Sequence, residues 1–191
     1  NKMVQFKDQK TISLAAKELI KDFSNASEPW LSQSLRNAGA GPVQRGPFKL
    51  GKELLVNGSF EKLSGDFAAG WTGRSFRGAA QHKLANIART GKHSIEISAD
   101  KASEWGVTMN VPIDMNSEYE LSAWVKTENV GGVGRGALLY VSAHPDAPGS
   151  NGIKGTQDWT QIKLRFNSGS QKVASINCLL GGWGVSTGKA W

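Results

Sequence analysis

Cysteine is nearly absent from this sequence of 191 residues, which contains only Cys178. A single thiol excludes an internal disulfide framework and a zinc site built on cysteines. No run of about 18 apolar residues occurs, so no segment is predicted to span a membrane. The sequence begins at Asn1 without a basic and then apolar leader, so we expect any targeting segment to have been removed or to lie outside this sequence.

Positive charge is in excess, but it is not gathered into a basic block. The formal net charge is +7. Residues 1–52 carry nine Lys or Arg and four Asp or Glu, a net +5, whereas residues 53–191 carry fourteen and twelve, a net +2. Because no run of about five to eight Lys or Arg occurs, we predict no nucleic-acid partner.

The first 40 residues have the periodicity of helices. Apolar residues recur three and four positions apart from Ile12 to Phe23, and Ser27 is a candidate cap for a second short helix with Pro29 in its first turn. We predict a short helical extension over residues 1–40 and a Gly/Pro-rich linker over 41–52. Because two short amphipathic helices cannot bury their faces alone, we expect them to pack on the rest of the chain or on helical repeats that precede them in a longer chain.

From residue 53 onward, apolar and polar residues alternate with a period of two, which indicates half-buried strands. Turns rich in Gly, Asn, Ser and Pro separate about eight such segments. The predicted strands lie at 54–56, 76–83, 93–98, 107–113, 119–126, 138–142, 161–166 and 175–180. Since each has one apolar face, two antiparallel sheets stacked on those faces are the simplest arrangement. Residues 53–191 are therefore predicted to form a mainly β, antiparallel sandwich.

Five short motifs in this region occur in an order that resembles a known family. They are LVNGSFE at 55–61 with the following Gly70-Trp71, TGKHSI at 90–95, YELSAWVKT at 119–127, WTQI at 159–162 and GKAW at 188–191. In this order they resemble carbohydrate-binding modules of the cellulase and xylanase type, within the galactose-binding-like jelly rolls. The resemblance covers roughly residues 54–191. It implies a jelly-roll β-sandwich that binds carbohydrate.

A second resemblance concerns the order of the predicted domains. Helices followed by such a module resemble one segment of large bacterial haem-binding, membrane-associated dehydrogenases. Both resemblances imply a module of a longer exported protein, with neighbouring domains as partners and an extracellular, periplasmic or cell-surface location.

The candidate binding surface is the polar outer face of one predicted sheet. If the strands at 76–83, 105–113, 136–143 and 173–181 share a sheet, amide, hydroxyl and guanidinium groups on its outer face could bond sugar hydroxyls, while an aromatic ring covers the sugar's C–H face. Trp105 and Trp183 at the sheet's edges are candidates for that stacking. The predicted carbohydrate-binding residues are Arg77, Trp105, Asn110, Tyr140, Asn177 and Trp183.

The rival interpretation is a structural or protein-interaction sandwich that only positions neighbouring domains. It predicts that Trp105 and Trp183 both plug the ends of the core and that the polar face has no groove. The carbohydrate hypothesis predicts at least one of these indoles exposed beside Tyr140 or Asn177.

The family resemblance also implies one structural Ca²⁺. The matching positions are Glu61 of the first motif and Lys92 and Ser94 of the second, whereas the paired acids that the family carries in a last strand are not in this sequence. Calcium takes six to eight oxygen ligands, so a missing acid weakens the prediction. The alternative is that Glu61 is an ordinary surface carboxylate.

Catalytic motifs are lacking, and the module is predicted not to be an enzyme, whatever its parent protein does. His82, His93 and His144 fall on different predicted strands or loops, and no metalloprotease, serine-hydrolase or P-loop motif occurs. Cys178 alternates with apolar neighbours and is predicted to be a small buried hydrophobe. A hydrolase would need a pair of carboxylates facing a cleft.

Overall fold

The computed structural model describes residues 51–142 and 149–191, and all structural statements concern these residues. The predicted helical extension over 1–40 and most of the linker over 41–52 lie outside them. The described residues contain strands and no helix, hence none able to cross a membrane. The strands are β1 (Leu63–Ser64), β2 (Phe67–Ala68), β3 (Thr72–Arg77), β4 (Gln81–Ala85), β5 (Ser94–Pro112), β6 (Glu118–Gly132), β7 (Gly136–Ser142), β8 (Gly155–Asn167), β9 (Val173–Gly181) and β10 (Ser186–Ala190).

Strand β5 is 19 residues long and belongs to two sheets. Its first half pairs with β4 and β10; for example, Ile97 lies opposite Ala190 of β10. Its second half pairs with β3 and β9; for example, Val107 lies opposite Cys178 of β9. The front sheet therefore has the order β3-β5-β9-β7, and the back sheet has the order β4-β5-β10-β6-β8. All of these pairings are antiparallel, as predicted.

The apolar faces of the two sheets meet in one core. Val107, Leu139 and Ile176 of the front sheet and Leu121 and Ile162 of the back sheet belong to the same buried cluster. Alternation places these side chains on one face of each strand, and burial of each contributes about 1.5–3 kcal/mol. The mainly β, antiparallel sandwich predicted from the sequence is confirmed.

Several predicted strand boundaries are wrong. Residues 54–56 form no strand, and the segments 93–98 and 107–113 are parts of the single strand β5. The segment 76–83 is split at Gly78 between β3 of the front sheet and β4 of the back sheet. Gly78 has a φ of 72° and a Cβ there would lie 2.9 Å from Ser103 Oγ, so the chain turns tightly against β5 at this point.

Candidate functional site

The outer face of the front sheet carries the polar side chains predicted for the binding surface. Thr108, Asn177 and Tyr140 lie opposite one another across β5, β9 and β7. Asn110 is in the next row, is exposed and lies opposite Ser175. Because cross-strand partners share a face, the sheet brings these residues together as predicted.

Trp183 lies in the turn between β9 and β10, and its side chain is 60% exposed. Its φ of 52° lies in the left-handed region, which bulky residues rarely adopt. The indole lies close to Gly149, where a Cβ would come within 2.8 Å of the ring, and that Cβ would also meet Leu138 of β7. An exposed indole in a strained backbone conformation contributes little to the core, which favours a role outside folding.

The neighbours of Trp183 form a compact group at the edge of the front sheet. The Tyr140 ring lies 5.1 Å from the indole at an interplanar angle of 80°, and the Arg135 guanidinium lies 4.8 Å from the ring centroid. The Trp183 backbone N–H donates to the Glu104 carboxylate at 2.9 Å, and Arg77 lies opposite Glu104 in the ladder between β3 and β5. We call these five residues the Trp183 platform.

Glycines allow the β6–β7 loop and the β9–β10 turn to lie close together beneath the platform. The Arg135 N–H donates to the Gly182 carbonyl at 3.1 Å, and a Cβ on Gly134 would lie 2.7 Å from the carbonyl oxygens of Gly181 and Gly184. The β6–β7 loop and the β9–β10 turn can therefore approach closely only because side chains are absent there. Arg135 was not among the predicted site residues, because nothing in its Gly-rich surroundings at 131–136 indicates that it lies next to Trp183.

Trp105 lies inside the sandwich, only 8% exposed. Its ring packs 4.4 Å from His82, and a Cβ on Gly73 would lie 2.4 Å from Trp105 Cη2. Partial burial lowers the pKa of His82. A buried indole offers no face to a sugar, so this placement matches the core-plug interpretation for Trp105 and leaves it out of the candidate site.

Asn177 is fully buried although its strand position belongs to the outer face. Its amide nitrogen donates to the Ser175 carbonyl at 2.9 Å, to Ser142 Oγ at 3.1 Å and to the Tyr140 carbonyl at 3.4 Å. Its Oδ1 has no hydrogen-bond partner within the described ranges. The side chain therefore supports β7 next to Tyr140 and does not reach the surface, where the predicted sugar contact would be.

Glu61 is occupied by hydrogen bonds from the loop that precedes β5. Its Oε1 accepts the N–H groups of Lys92 at 2.8 Å and His93 at 3.1 Å, and these bonds, the Lys92 bond most, lower the pKa of Glu61. The Ser94 hydroxyl donates to the Ile87 carbonyl at 2.5 Å. No group of three or more His, Cys, Asp or Glu suited to a metal occurs in the described part of the chain. The side chains of Glu61, Lys92 and Ser94 together supply three oxygens, fewer than the six to eight that calcium takes.

A second concavity, which sequence analysis missed, opens between the start of β5 and β6. Its volume is about 210 Å³, and its rim includes Arg89, Trp124 and Trp159. The Arg89 guanidinium lies 3.6 Å from the Trp124 ring centroid, and the Trp124 side chain is 39% exposed. Trp124 faces outward, and residues 1–40, predicted as helices that pack on the rest of the chain, lie outside the described residues. Nδ1 of His93, also on the rim, is buried without a partner in this part of the chain.

The cysteine of the sandwich is not an activated nucleophile. Burial raises the pKa of Cys178 to about 12, so the side chain stays a neutral thiol. Within the described chain, the platform contains one carboxylate, Glu104, which already accepts the Trp183 N–H. The exposed aromatic rings and polar groups are suited to stacking and hydrogen bonding.

A scan of protein-family models and a search of curated proteins gave no match. Among solved structures, the enzymatically active domain of tailspike protein 4 of bacteriophage CBA120 is similar over 72% of this chain, with 15% identity and a TM-score of 0.55. The match covers 20% of that tailspike chain, so this chain spans about a fifth of it. At this identity the likeness shows the fold alone.

Two carbohydrate-binding modules show weaker likenesses. TmCBM61, solved in complex with β-1,4-galactotriose, has 16% identity and a TM-score of 0.47 over 74% of this chain and 99% of its own. The CBM22-1 xylan-binding domain of Paenibacillus barcinonensis Xyn10C has 16% identity and a TM-score of 0.41 over 63% of this chain and 83% of its own. The comparisons give no support to the resemblance to haem-binding dehydrogenases.

Proposed function

We propose that the sandwich is a non-catalytic carbohydrate-binding module whose ligand binds on the Trp183 platform. One observation carries the proposal: the indole of Trp183 is exposed beside Tyr140 on the outer face of the front sheet. This is the exposure that the sequence hypothesis required of at least one edge indole. An aromatic ring stacks on the C–H face of a sugar, and nearby polar groups form hydrogen bonds with its hydroxyl groups.

The platform binds its ligand without bond cleavage. Hydrolysis of a glycosidic bond uses two carboxylic groups at a defined separation, and within the described residues the platform supplies only Glu104. A single shallow site of this kind binds in the micromolar to millimolar range, about 4–8 kcal/mol. We propose that the module serves a longer exported chain, at an extracellular, periplasmic or cell-surface location where polysaccharides occur.

The alternative function is attachment of a neighbouring domain to the same exposed platform. Both functions use Trp183, but only carbohydrate binding gives a soluble saccharide measurable affinity for the isolated chain. We therefore test binding by affinity electrophoresis in gels that contain β-1,4-galactan, xylan or no polysaccharide. We expect at least one polysaccharide to retard the unmodified protein and the Trp183→Ala variant to migrate as in the empty gel.

A matched control is the Trp124→Ala variant, which removes the exposed indole of the second concavity. Retardation of this variant should equal that of the unmodified protein. Loss of binding in Trp124→Ala with retention in Trp183→Ala would move the site to the second concavity. Absence of retardation across a wider glycan panel would leave the neighbouring-domain function as the better account.

A further inference from the structure

Cations around the Trp183 platform differ from those of the back sheet in their partners. On the back sheet, Lys126 pairs with Asp158 at 2.8 Å, and Glu120 accepts Arg165 at 2.9 Å and Lys163 at 3.2 Å. Those contacts neutralise the back surface locally. Among the described residues, the cations at the edge of the front sheet have no such carboxylate partners.

Arg135 of the platform and Lys154, which lies next to Gly136, form no ion pair in the described part of the chain. The guanidinium of Arg135 lies over the Trp183 ring, and Lys154 Nζ donates to the Gly132 carbonyl at 3.0 Å. A carbonyl neutralises no charge, and an ammonium has three protons, so Lys154 keeps donors for another group. Both side chains are exposed.

The β3 side of the platform is also cationic. Arg77 is exposed and lies opposite Glu104 in the ladder, and Arg74 lies 4.8 Å from the Phe76 ring centroid. These two arginines form no ion pair within the described ranges either. This edge of the sandwich thus carries four exposed cations, whereas the one carboxylate of the platform, Glu104, is engaged with the Trp183 N–H.

We propose that the Trp183 platform selects saccharides whose rings carry carboxylate groups over neutral saccharides, an inference that rests on the proposed carbohydrate-binding function. The indole supplies the apolar surface for the sugar ring, and the guanidinium of Arg135 reaches over that same ring. Guanidinium groups bind carboxylates through two parallel N–H donors, so they fix the orientation of the carboxylate and also attract its charge. Unpaired cations near an exposed aromatic ring therefore fit an anionic sugar better than a neutral one.

The probe is polygalacturonate, compared with highly methyl-esterified polygalacturonate, which has the same backbone without the charge. We expect the unmodified protein to bind the acid form at least about tenfold more tightly than the ester. Arg135→Gln should lose roughly threefold to tenfold in affinity for the acid form and a smaller factor for the ester, so that the preference for the acid form falls. Raising the salt from about 0.1 M to about 1 M shortens the screening length from ~10 Å to ~3 Å and should reduce the preference.

The matched charge control is Lys172→Gln, which removes an exposed cation at the other end of the front sheet. Val173, its neighbour, is eight residues from Gly181 along β9, about 26 Å at ~3.3 Å per residue. This variant should keep the unmodified protein's preference for the acid form. An equal loss in Lys172→Gln and Arg135→Gln would show attraction by net charge and overturn the selectivity of the platform.

Three further results separate this inference from the proposed function. Equal, Trp183-dependent binding of the acid and ester forms would overturn the inference and leave carbohydrate binding standing. Binding of poly-L-glutamate as tight as that of polygalacturonate, unaffected by Trp183→Ala, would show a non-specific polyanion surface and also overturn it. Failure of every neutral and acidic glycan to bind would overturn both.

Discussion

The carboxylate of Glu104, at the middle of β5, accepts a hydrogen bond from the backbone N–H of Trp183 at 2.9 Å. This bond ties the β9–β10 turn to the one strand that both sheets share. The turn holds Trp183 at a φ of 52°, a conformation that costs about 1–2 kcal/mol for a residue with a Cβ. The position of the exposed indole therefore depends on a contact that the core does not supply.

The first prediction concerns this hydrogen bond. Glu104→Ala removes the acceptor, whereas Glu104→Gln removes the charge and keeps an amide oxygen that accepts the N–H. Because a hydrogen bond of this kind contributes about 0.5–1.5 kcal/mol, we expect Glu104→Ala to bind saccharide roughly threefold to tenfold more weakly than Glu104→Gln. Affinity electrophoresis measures the ratio, and equal affinities would show that the bond does not position the indole.

Truncation of the two edge tryptophans should lower stability by very different amounts. Trp105→Ala empties a buried site and should lower the free energy of unfolding by about 3–5 kcal/mol, whereas Trp183→Ala removes an exposed ring and should lower it by less than about 1 kcal/mol. Urea unfolding followed by far-UV circular dichroism measures both. A large loss in Trp183→Ala would make Trp183 a structural residue.

The third prediction compares two substitutions that relieve or keep the backbone strain at Trp183. Trp183→Gly removes the Cβ that disfavours a φ of 52°, whereas Trp183→Ala keeps it. We expect the Gly variant to be more stable than the Ala variant by about 1 kcal/mol, although both lose the indole. The difference in urea midpoints tests this. A more stable Ala variant would mean that the turn relaxes out of the left-handed region once the ring is gone.

The contact between the two loops beneath the platform gives a fourth prediction. A Cβ on Gly134 would lie 2.7 Å from two carbonyl oxygens of the β9–β10 turn, so Gly134→Ala must push the loops apart. We expect saccharide binding to fall at least about tenfold and stability to fall by about 1–3 kcal/mol. Gly131→Ala is the matched control, because a Cβ there meets Thr187 Oγ1 at an ordinary 3.7 Å. Similar losses in both variants would point to general sensitivity of the β6–β7 loop.

Alternation along the strands predicted the sandwich and could have separated the two indoles. Trp105 has the parity of Val107 and Met109, which face the core, so its burial follows from the same pattern that predicts β5. Trp183 follows Gly181 and Gly182 outside any alternating segment, and it is exposed. By residue type alone the two indoles are equivalent edge candidates, and only parity along β5 separates them.

Features that depend on contacts between segments distant in the sequence could not be predicted from the sequence. β10 has the sequence STGKA, in which Gly188 has a φ of 100° and the register with β5 and β6 shifts, so no alternation indicates a strand. The burial of Asn177 depends on which side chains surround it across β7 and β9, and the concavity beside Trp124 depends on how the segments 58–60 and 89–94 lie against β6. Sequence spacing contains none of these distances.

Glu61 should make the sandwich sensitive to acid. The Lys92 and His93 N–H groups lower the pKa of Glu61 in the folded chain, so the carboxylate stabilises the fold above the ordinary glutamate pKa. That stabilisation is lost as the pH falls through the lowered folded-state pKa. Glu61→Gln keeps an acceptor without the charge, and we expect its deficit in unfolding free energy at pH 7 to shrink toward pH 2. A deficit that does not change with pH would show that the charge contributes nothing.

The structural calcium implied by the family resemblance can be tested at the same residue. Because Glu61 Oε1 already accepts two N–H groups, we expect the thermal midpoint to stay the same when calcium is replaced by a chelator. A site saturated about 100-fold above its dissociation constant would instead raise the midpoint by about 5–10 °C. A rise of that size in the unmodified chain that disappears in Glu61→Gln would establish the calcium site, whereas a rise retained in Glu61→Gln would place the metal elsewhere.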